Sequence, residues 1–126
     1  MKIPANLLYS KDHEWVRLAG LVARVGITDY AQDALGDVVF VQLPTSGQSV
    51  EAGSSCSEVE STKSVSDIYV PVTGKIVAIN LGLTDAPGLI NSDPYGDGWI
   101  MEIEVKDVAS VAELMDASSY KQLIEG

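Results

Sequence analysis

Hydrophobic and polar residues alternate over short runs through most of the chain, which is the pattern of half-buried β-strands. These runs are rich in β-branched and aromatic residues, and Gly, Pro, Asn and Asp separate them. The predicted strands are Glu14–Leu18, Leu21–Ile27, Val38–Leu43, Ser57–Glu60, Val65–Val70, Gly74–Asn80 and Trp99–Val105. Strands this short and closely spaced predict a mainly β fold of the sandwich or barrel type.

Helical patterns are confined to a few places. Thr28 or Asp29 can cap a short helix over Tyr30–Leu35, which Gly36 then ends. In a C-terminal segment, about residues 107–124, apolar residues recur at helical spacing. We expect both helical parts to be peripheral and to cover the β core of a single domain spanning residues 1–126.

Composition narrows the class of protein. Apolar residues make up 46% and charged residues 21% of the 126 residues, which is typical of a globular chain. The formal net charge of -10 disfavours nucleic acid and anionic membrane surfaces as partners. No apolar run reaches the roughly 20 residues of a membrane span, and the N-terminus lacks the pattern of a secretory signal. With a single cysteine, Cys56, the expected compartment is the cytoplasm.

The most chemically suggestive segment is the polar stretch Ser61–Ser64, which lies between two strand-like runs. This arrangement predicts that Lys63 lies at an exposed hairpin tip. Taken alone, such a residue is most often a solvated surface lysine. An amine nucleophile is disfavoured because the nearby charges, Glu58, Glu60 and Asp67, are all acidic and favour the charged ammonium.

No pattern in the chain predicts an active site of its own. His13 is the only histidine, so we expect it to cap or pack, and no spacing indicates a metal site. Nothing beside Cys56 indicates an activated thiolate, and neither phosphate-binding nor dinucleotide-binding glycine motifs occur. We expect Trp15, Trp99 and Phe40 to be core aromatics.

Ordered blocks along nearly the whole chain resemble the H protein of the glycine cleavage system, a family of lipoyl carriers. The blocks are Tyr9–Val16, Val25–Gln32, Leu35–Val41 with Leu43-Pro44, Glu60–Asp67 and Asn91–Trp99. The attachment motif of that family usually reads Glu-Ser-Val-Lys-Ala or Glu-Ser-Val-Lys-Ser. Here it reads Glu60-Ser61-Thr62-Lys63-Ser64, in which the β-branched Thr62 replaces Val at similar shape.

The resemblance implies a barrel-sandwich hybrid of the lipoyl/biotinyl hammerhead type, with two antiparallel sheets and short peripheral helices. It implies that a lipoate ligase or lipoyltransferase joins lipoic acid to Lys63 as an amide. The resulting arm would shuttle an aminomethyl group from glycine decarboxylase (P protein) to aminomethyltransferase (T protein). It would then pass electrons to dihydrolipoamide dehydrogenase (L protein). On this interpretation the chain is a carrier subunit, expected to be monomeric, and not an enzyme.

Two further residues enter through the resemblance. It implies that Glu14 binds the cationic amine of the loaded arm, and Asp67, just past the lysine, could contribute to the same cleft. An exposed strand carboxylate is the alternative for Glu14. Alternatives for the whole protein are a lipoate relay to other dehydrogenase complexes and a biotinyl carrier. A further alternative is an unmodified β-rich interaction domain or an enzyme with its own active site. Biotinyl domains typically present Met-Lys-Met, whereas this chain has Thr62-Lys63-Ser64.

Overall fold

Two antiparallel sheets form the body of the computed structural model, which describes residues 1–126. In chain order the strands are β1 (Leu8–Tyr9), β2 (Glu14–Ala19), β3 (Val22–Ile27), β4 (Val38–Gln42), β5 (Ser49–Val50), β6 (Ser55–Ser61), β7 (Val65–Tyr69), β8 (Gly74–Ile79) and β9 (Met101–Val105). The six-stranded sheet has the order β1-β2-β3-β9-β8-β5, and the three-stranded sheet has the order β4-β6-β7. The prediction of a mainly β fold with two sheets and short helices is confirmed.

Each predicted strand is present, with shifts at its ends. The largest shifts are in β6, which begins at Ser55 instead of Ser57, and in β9, which begins at Met101 instead of Trp99. The sequence pattern missed β1 and β5 because a strand of two residues is too short to show alternation.

The helices are short and lie in the segments between β3 and β4, between β8 and β9, and after β9. They are α1 (Asp29–Leu35), α2 (Gly82–Asp85), α3 (Leu89–Ser92) and α4 (Ala117–Glu125), with a 3-10 helix over Val108–Glu113. Thr28 is the cap of α1, since its Oγ1 accepts a hydrogen bond from the backbone N–H of Ala31 at 3.2 Å. The predicted C-terminal helical segment is therefore a 3-10 helix followed by α4. None of the helices is both long and apolar enough to cross a lipid bilayer.

Apolar side chains from both sheets form a core of 20 buried residues. A smaller cluster of Leu7, Tyr9, Trp15 and Tyr120 fastens α4 to β1 and β2. Within it, the rings of Tyr9 and Tyr120 stack with their centroids 4.7 Å apart. Burial of Trp15 agrees with the sequence prediction, and Trp99 packs against the same cluster while half-buried.

The prediction that Phe40 is a core residue is wrong, because 55% of Phe40 is exposed. The pairing of β4 with β6 shifts register between Val38 and Phe40. Such a bulge moves every later side chain to the opposite face of the sheet, so Val41 turns inward and Phe40 outward. A hydrophobic run such as Val38–Val41 contains no signal for this shift.

Gly26 packs directly against the smaller cluster, and we predict that Gly26→Ala destabilises the fold. A Cβ at this position would lie 2.7 Å from atoms of the Trp15 indole. The indole cannot move away freely because its Nε1 donates to the carbonyl of Pro94 at 2.9 Å. Such overpacking costs about 1–3 kcal/mol of unfolding free energy, measurable by urea denaturation.

Gly88→Ala is the matched control, because Gly88 has a φ of -64° and an added Cβ there would have nothing within 4 Å. We expect its unfolding free energy to stay close to that of the parent chain. Equal losses in the two variants would contradict the packing argument.

Candidate functional site

Lys63 lies in the exposed turn that joins β6 to β7. The Oγ of Ser61 accepts the backbone N–H groups of Lys63 and Ser64, each at 3.1 Å, and lies 3.1 Å from the Ser64 carbonyl, to which it donates. The backbone N–H of Ser61 also donates to that carbonyl at 2.8 Å. The backbone of the tip is therefore held by its own hydrogen bonds, while the side chain of Lys63 projects from it.

A cleft of about 270 Å³ runs beside the tip, between α1 and β7. Its apolar walls include Ile27, Leu35 and Ile68, and its polar margin includes Asp12 and Asp67. Asp67 is exposed on β7, directly opposite Glu58 of β6. The structure thus places Asp67 in the cleft nearest to the lysine.

A second cleft of about 410 Å³ contains Glu14. Asp12 borders both clefts, so they meet at this residue. Glu14 and Asp67 therefore line neighbouring clefts and do not share one. Sequence reasoning gave no role to Asp12, and a single exposed aspartate in a loop offers no signal for one.

The largest cleft, of about 880 Å³, contains none of the predicted site residues. Its two lysines, Lys75 and Lys106, are matched by Glu51 and Glu104 in the same lining. Because its charges balance and it lacks the lysine tip, its size alone does not make it the functional site.

Glu14 is buried, with 1% of its surface exposed, so the alternative of an exposed strand carboxylate is wrong. Its Oε1 accepts a hydrogen bond of 2.6 Å from the Ser10 hydroxyl, whose oxygen in turn accepts the Glu14 backbone N–H. No cationic side chain lies within 4.0 Å, since the only ion pair in the chain joins Arg24 to Glu102. Burial raises the pKa of Glu14 to about 8, although the Ser10 hydrogen bond opposes that rise.

His13 is a packing residue that lines the first cleft, as expected. Its ring lies over Tyr30 with centroids 4.9 Å apart, and its Nδ1 is 2.9 Å from the hydroxyl of Tyr120. That hydroxyl is also 2.7 Å from the Oγ1 of Thr28. Burial lowers the pKa of His13, which favours the neutral ring and a hydrogen bond accepted from Tyr120.

Cys56 is partly buried in β6, with its Sγ 3.6 Å from both the Ile68 carbonyl and the Met101 Sδ. Burial, with a smaller contribution from the charge of Glu14, raises the pKa of this thiol to about 12. The thiol therefore stays protonated at neutral pH and does not supply a nucleophile.

Comparison with known proteins gives a single family. The model of the family described as Glycine cleavage H-protein matches residues 7–126. Curated relatives include the "Glycine cleavage system H protein" of Klebsiella pneumoniae, 55% identical over 98% of this chain and 96% of its own length. That of Thermus thermophilus is 51% identical over 99% of this chain and 98% of its own length. A crystal structure of a glycine cleavage system H protein from Mycobacterium marinum superposes with a TM-score of 0.90 at 45% identity, covering 98% of this chain and 100% of that one.

Proposed function

Because this chain belongs to the glycine cleavage H-protein family, we propose that Lys63 is the residue on which it carries lipoic acid. The protein is a lipoyl carrier of the glycine cleavage system. The observation that carries the assignment to Lys63 is its position in the exposed β6–β7 turn, within the motif Glu60–Ser64. Because the turn is exposed, a modifying enzyme can reach the amine from the solvent side.

The surroundings of Lys63 fit a lipoyl group. The cleft beside the tip offers apolar walls from Ile27, Leu35 and Ile68 to a hydrocarbon chain and a dithiolane ring. A lipoyl amide would supply a redox-active disulfide on a flexible arm, which can accept an aminomethyl group and electrons. The internal hydrogen bonds of the Ser61–Ser64 turn give that arm a fixed base.

Glu14 is proposed to bind a primary ammonium delivered by the arm. It is a buried carboxyl group without a cationic partner, and burial raises its pKa to about 8. An incoming ammonium would favour its ionised form and so would be bound by the carboxylate. Ser10 fixes the carboxylate orientation through the 2.6 Å hydrogen bond to Oε1. Asp12, where the two clefts meet, and Asp67 add negative charge along the way from the tip.

The proposed partners are the enzymes that act on such an arm. They are glycine decarboxylase, aminomethyltransferase, dihydrolipoamide dehydrogenase and a lipoate ligase or lipoyltransferase. A net charge of -10 favours partner surfaces that carry basic residues. The protein itself is proposed to have no catalytic activity, and to work by raising the local concentration of the arm at each partner.

The test is the mass of the 126-residue chain after incubation with lipoic acid, ATP and a lipoate ligase. We expect one lipoyl increment, which peptide mapping assigns to Lys63, and glycine-dependent turnover only when the three partner enzymes are added. A lipoyl domain from a dehydrogenase complex is the positive control for the ligase. No increment on this chain, with full modification of the control, would refute the attachment.

A further inference from the structure

The side chain of Lys63 lies across Gly36, the residue that ends α1. A Cβ built on Gly36 would be 2.8 Å from the Lys63 Cε, 3.6 Å from its Nζ and 3.7 Å from its Cδ. The upper part of the lysine stem therefore occupies the space that any other residue at position 36 would fill. The φ of Gly36 is +85°, so its backbone conformation also favours glycine.

The turn beneath the lysine, Gly36–Val38, is held by Asn91 of α3. The Asn91 Nδ2 donates to the Gly36 carbonyl at 2.9 Å and to the Gln32 Oε1 at 3.0 Å. Its Oδ1 accepts the backbone N–H of Val38 at 2.8 Å. One side chain thus fixes both ends of the turn.

This turn is joined directly to the lysine tip. The backbone N–H of Thr62 donates to the Asp37 carbonyl at 3.0 Å, and Val38 pairs with Ser61 at the end of β4 and β6. These bonds hold the surface under the Lys63 stem in a fixed position relative to the tip, so loosening the turn would loosen both.

We propose that the Gly36–Val38 turn, clamped by Asn91, is a seat that orients the stem of Lys63 for acylation. Gly36 is a positioning residue because it leaves room for the stem, and Asn91 is a positioning residue because it fixes the turn. The functional part of this inference rests on the proposed attachment at Lys63. Removing the seat returns rotational freedom to the stem, which we expect to lower the acylation kcat/KM by about two- to ten-fold.

Two pairs of variants of the full chain separate the seat from general stability. Asn91→Ala removes the clamp, and Asn80→Ala is its control, because Asn80 also makes three side-chain hydrogen bonds but to residues 82, 97 and 99. Gly36→Ala places a methyl group against the lysine. Gly20→Ala is its control, because Gly20 has a φ of +63° and an added Cβ there would have nothing within 4 Å.

The first readout is the order of the Lys63 Cε methylene from 13C relaxation in the unmodified protein, with the exposed Lys75 as internal reference. The second is kcat and KM for acylation by a lipoate ligase. We expect Lys63 to be more ordered than Lys75 in the parent chain and in both controls. In Asn91→Ala and Gly36→Ala we expect the order to fall to that of Lys75, together with the lower kcat/KM.

Equal order of Lys63 and Lys75 in the parent chain would overturn the seat, as would equal changes in the test and control variants. Lost order with unchanged acylation kinetics would overturn the positioning role. If Gly36→Ala does not fold, the comparison of Asn91→Ala with its control Asn80→Ala tests the seat. Failure of the parent chain to be acylated at all would instead refute the proposed function, while the relaxation measurement still tests the seat.

Discussion

Lys63→Arg is expected to abolish lipoylation completely and to reduce glycine-dependent turnover with the three partner enzymes to background. The guanidinium stays protonated at physiological pH and does not attack an activated acyl group, so the amide cannot form. The variant keeps the positive charge and the length of the side chain, and Lys63 is exposed. Its unfolding free energy should therefore stay within about 0.5 kcal/mol of that of the parent chain.

Lys75→Arg is the matched control, since Lys75 is also exposed but lies on β8 of the larger sheet. Intact mass and peptide mapping measure the lipoyl increment, and the reconstituted system measures turnover. A lipoyl increment that persists in Lys63→Arg would assign the attachment to another lysine and contradict the proposal.

Glu14→Gln is expected to make the protein more stable at high pH and to weaken the pH dependence of its unfolding free energy. The pKa of Glu14 is raised by burial from 4.5 to about 8 in the folded protein. Below about pH 4.5 the Glu14 carboxyl is protonated in both the folded and the unfolded chain, so its ionisation does not affect the unfolding free energy. Between 4.5 and 8 the unfolded chain ionises first, so this residue progressively lowers the unfolding free energy as pH rises, until the loss is complete above about pH 8.

Each unit of pKa difference corresponds to about 1.36 kcal/mol, so the full effect is on the order of a few kcal/mol. Urea unfolding at pH 5, 7 and 9 measures this effect as the difference in unfolding free energy between Glu14→Gln and the parent chain. We expect this difference to grow with pH, while Glu51→Gln, at an exposed residue, shows no such growth. A difference that is constant with pH would contradict the raised pKa of Glu14.

The same substitution tests the proposed binding of an ammonium group. Glutamine retains the oxygen that accepts the Ser10 hydroxyl, but it loses the negative charge. A gain in stability at high pH combined with weaker retention of a cationic arm is therefore the expected signature of a functional carboxylate. Such residues commonly lower stability where they serve a site.

The strands were predictable because alternation of apolar and polar residues reports burial on one face of a sheet. The prediction was poorest where that relation does not hold. In β2, Glu14, Trp15 and Val16 are all buried, because Val16 lies in the main core while Trp15 lies in the smaller cluster under α4. Alternation cannot reveal a buried carboxylate in a strand that is covered on both faces.

The hairpin at Lys63 was predictable from its own residues, but its support was not. Asn91 acts on the turn at Gly36–Val38 from 53 to 55 positions away in sequence. It lies in α3, a four-residue helix that is too short to produce a helical pattern. Contacts of this kind follow from the tertiary packing of α1 and α3, which a single sequence does not encode in a local pattern.

The position of Cys56 has a consequence for the redox chemistry that a lipoyl carrier supports. Thiol–disulfide exchange begins with attack by a thiolate. Exchange is slower when a smaller fraction of the thiol is ionised and when the sulfur is less accessible. With its pKa raised to about 12 and its sulfur packed against Met101, Cys56 is a poor attacking group. Attack by this cysteine on the disulfide of a lipoyl arm would therefore be slow, which leaves such an arm to exchange with partner enzymes.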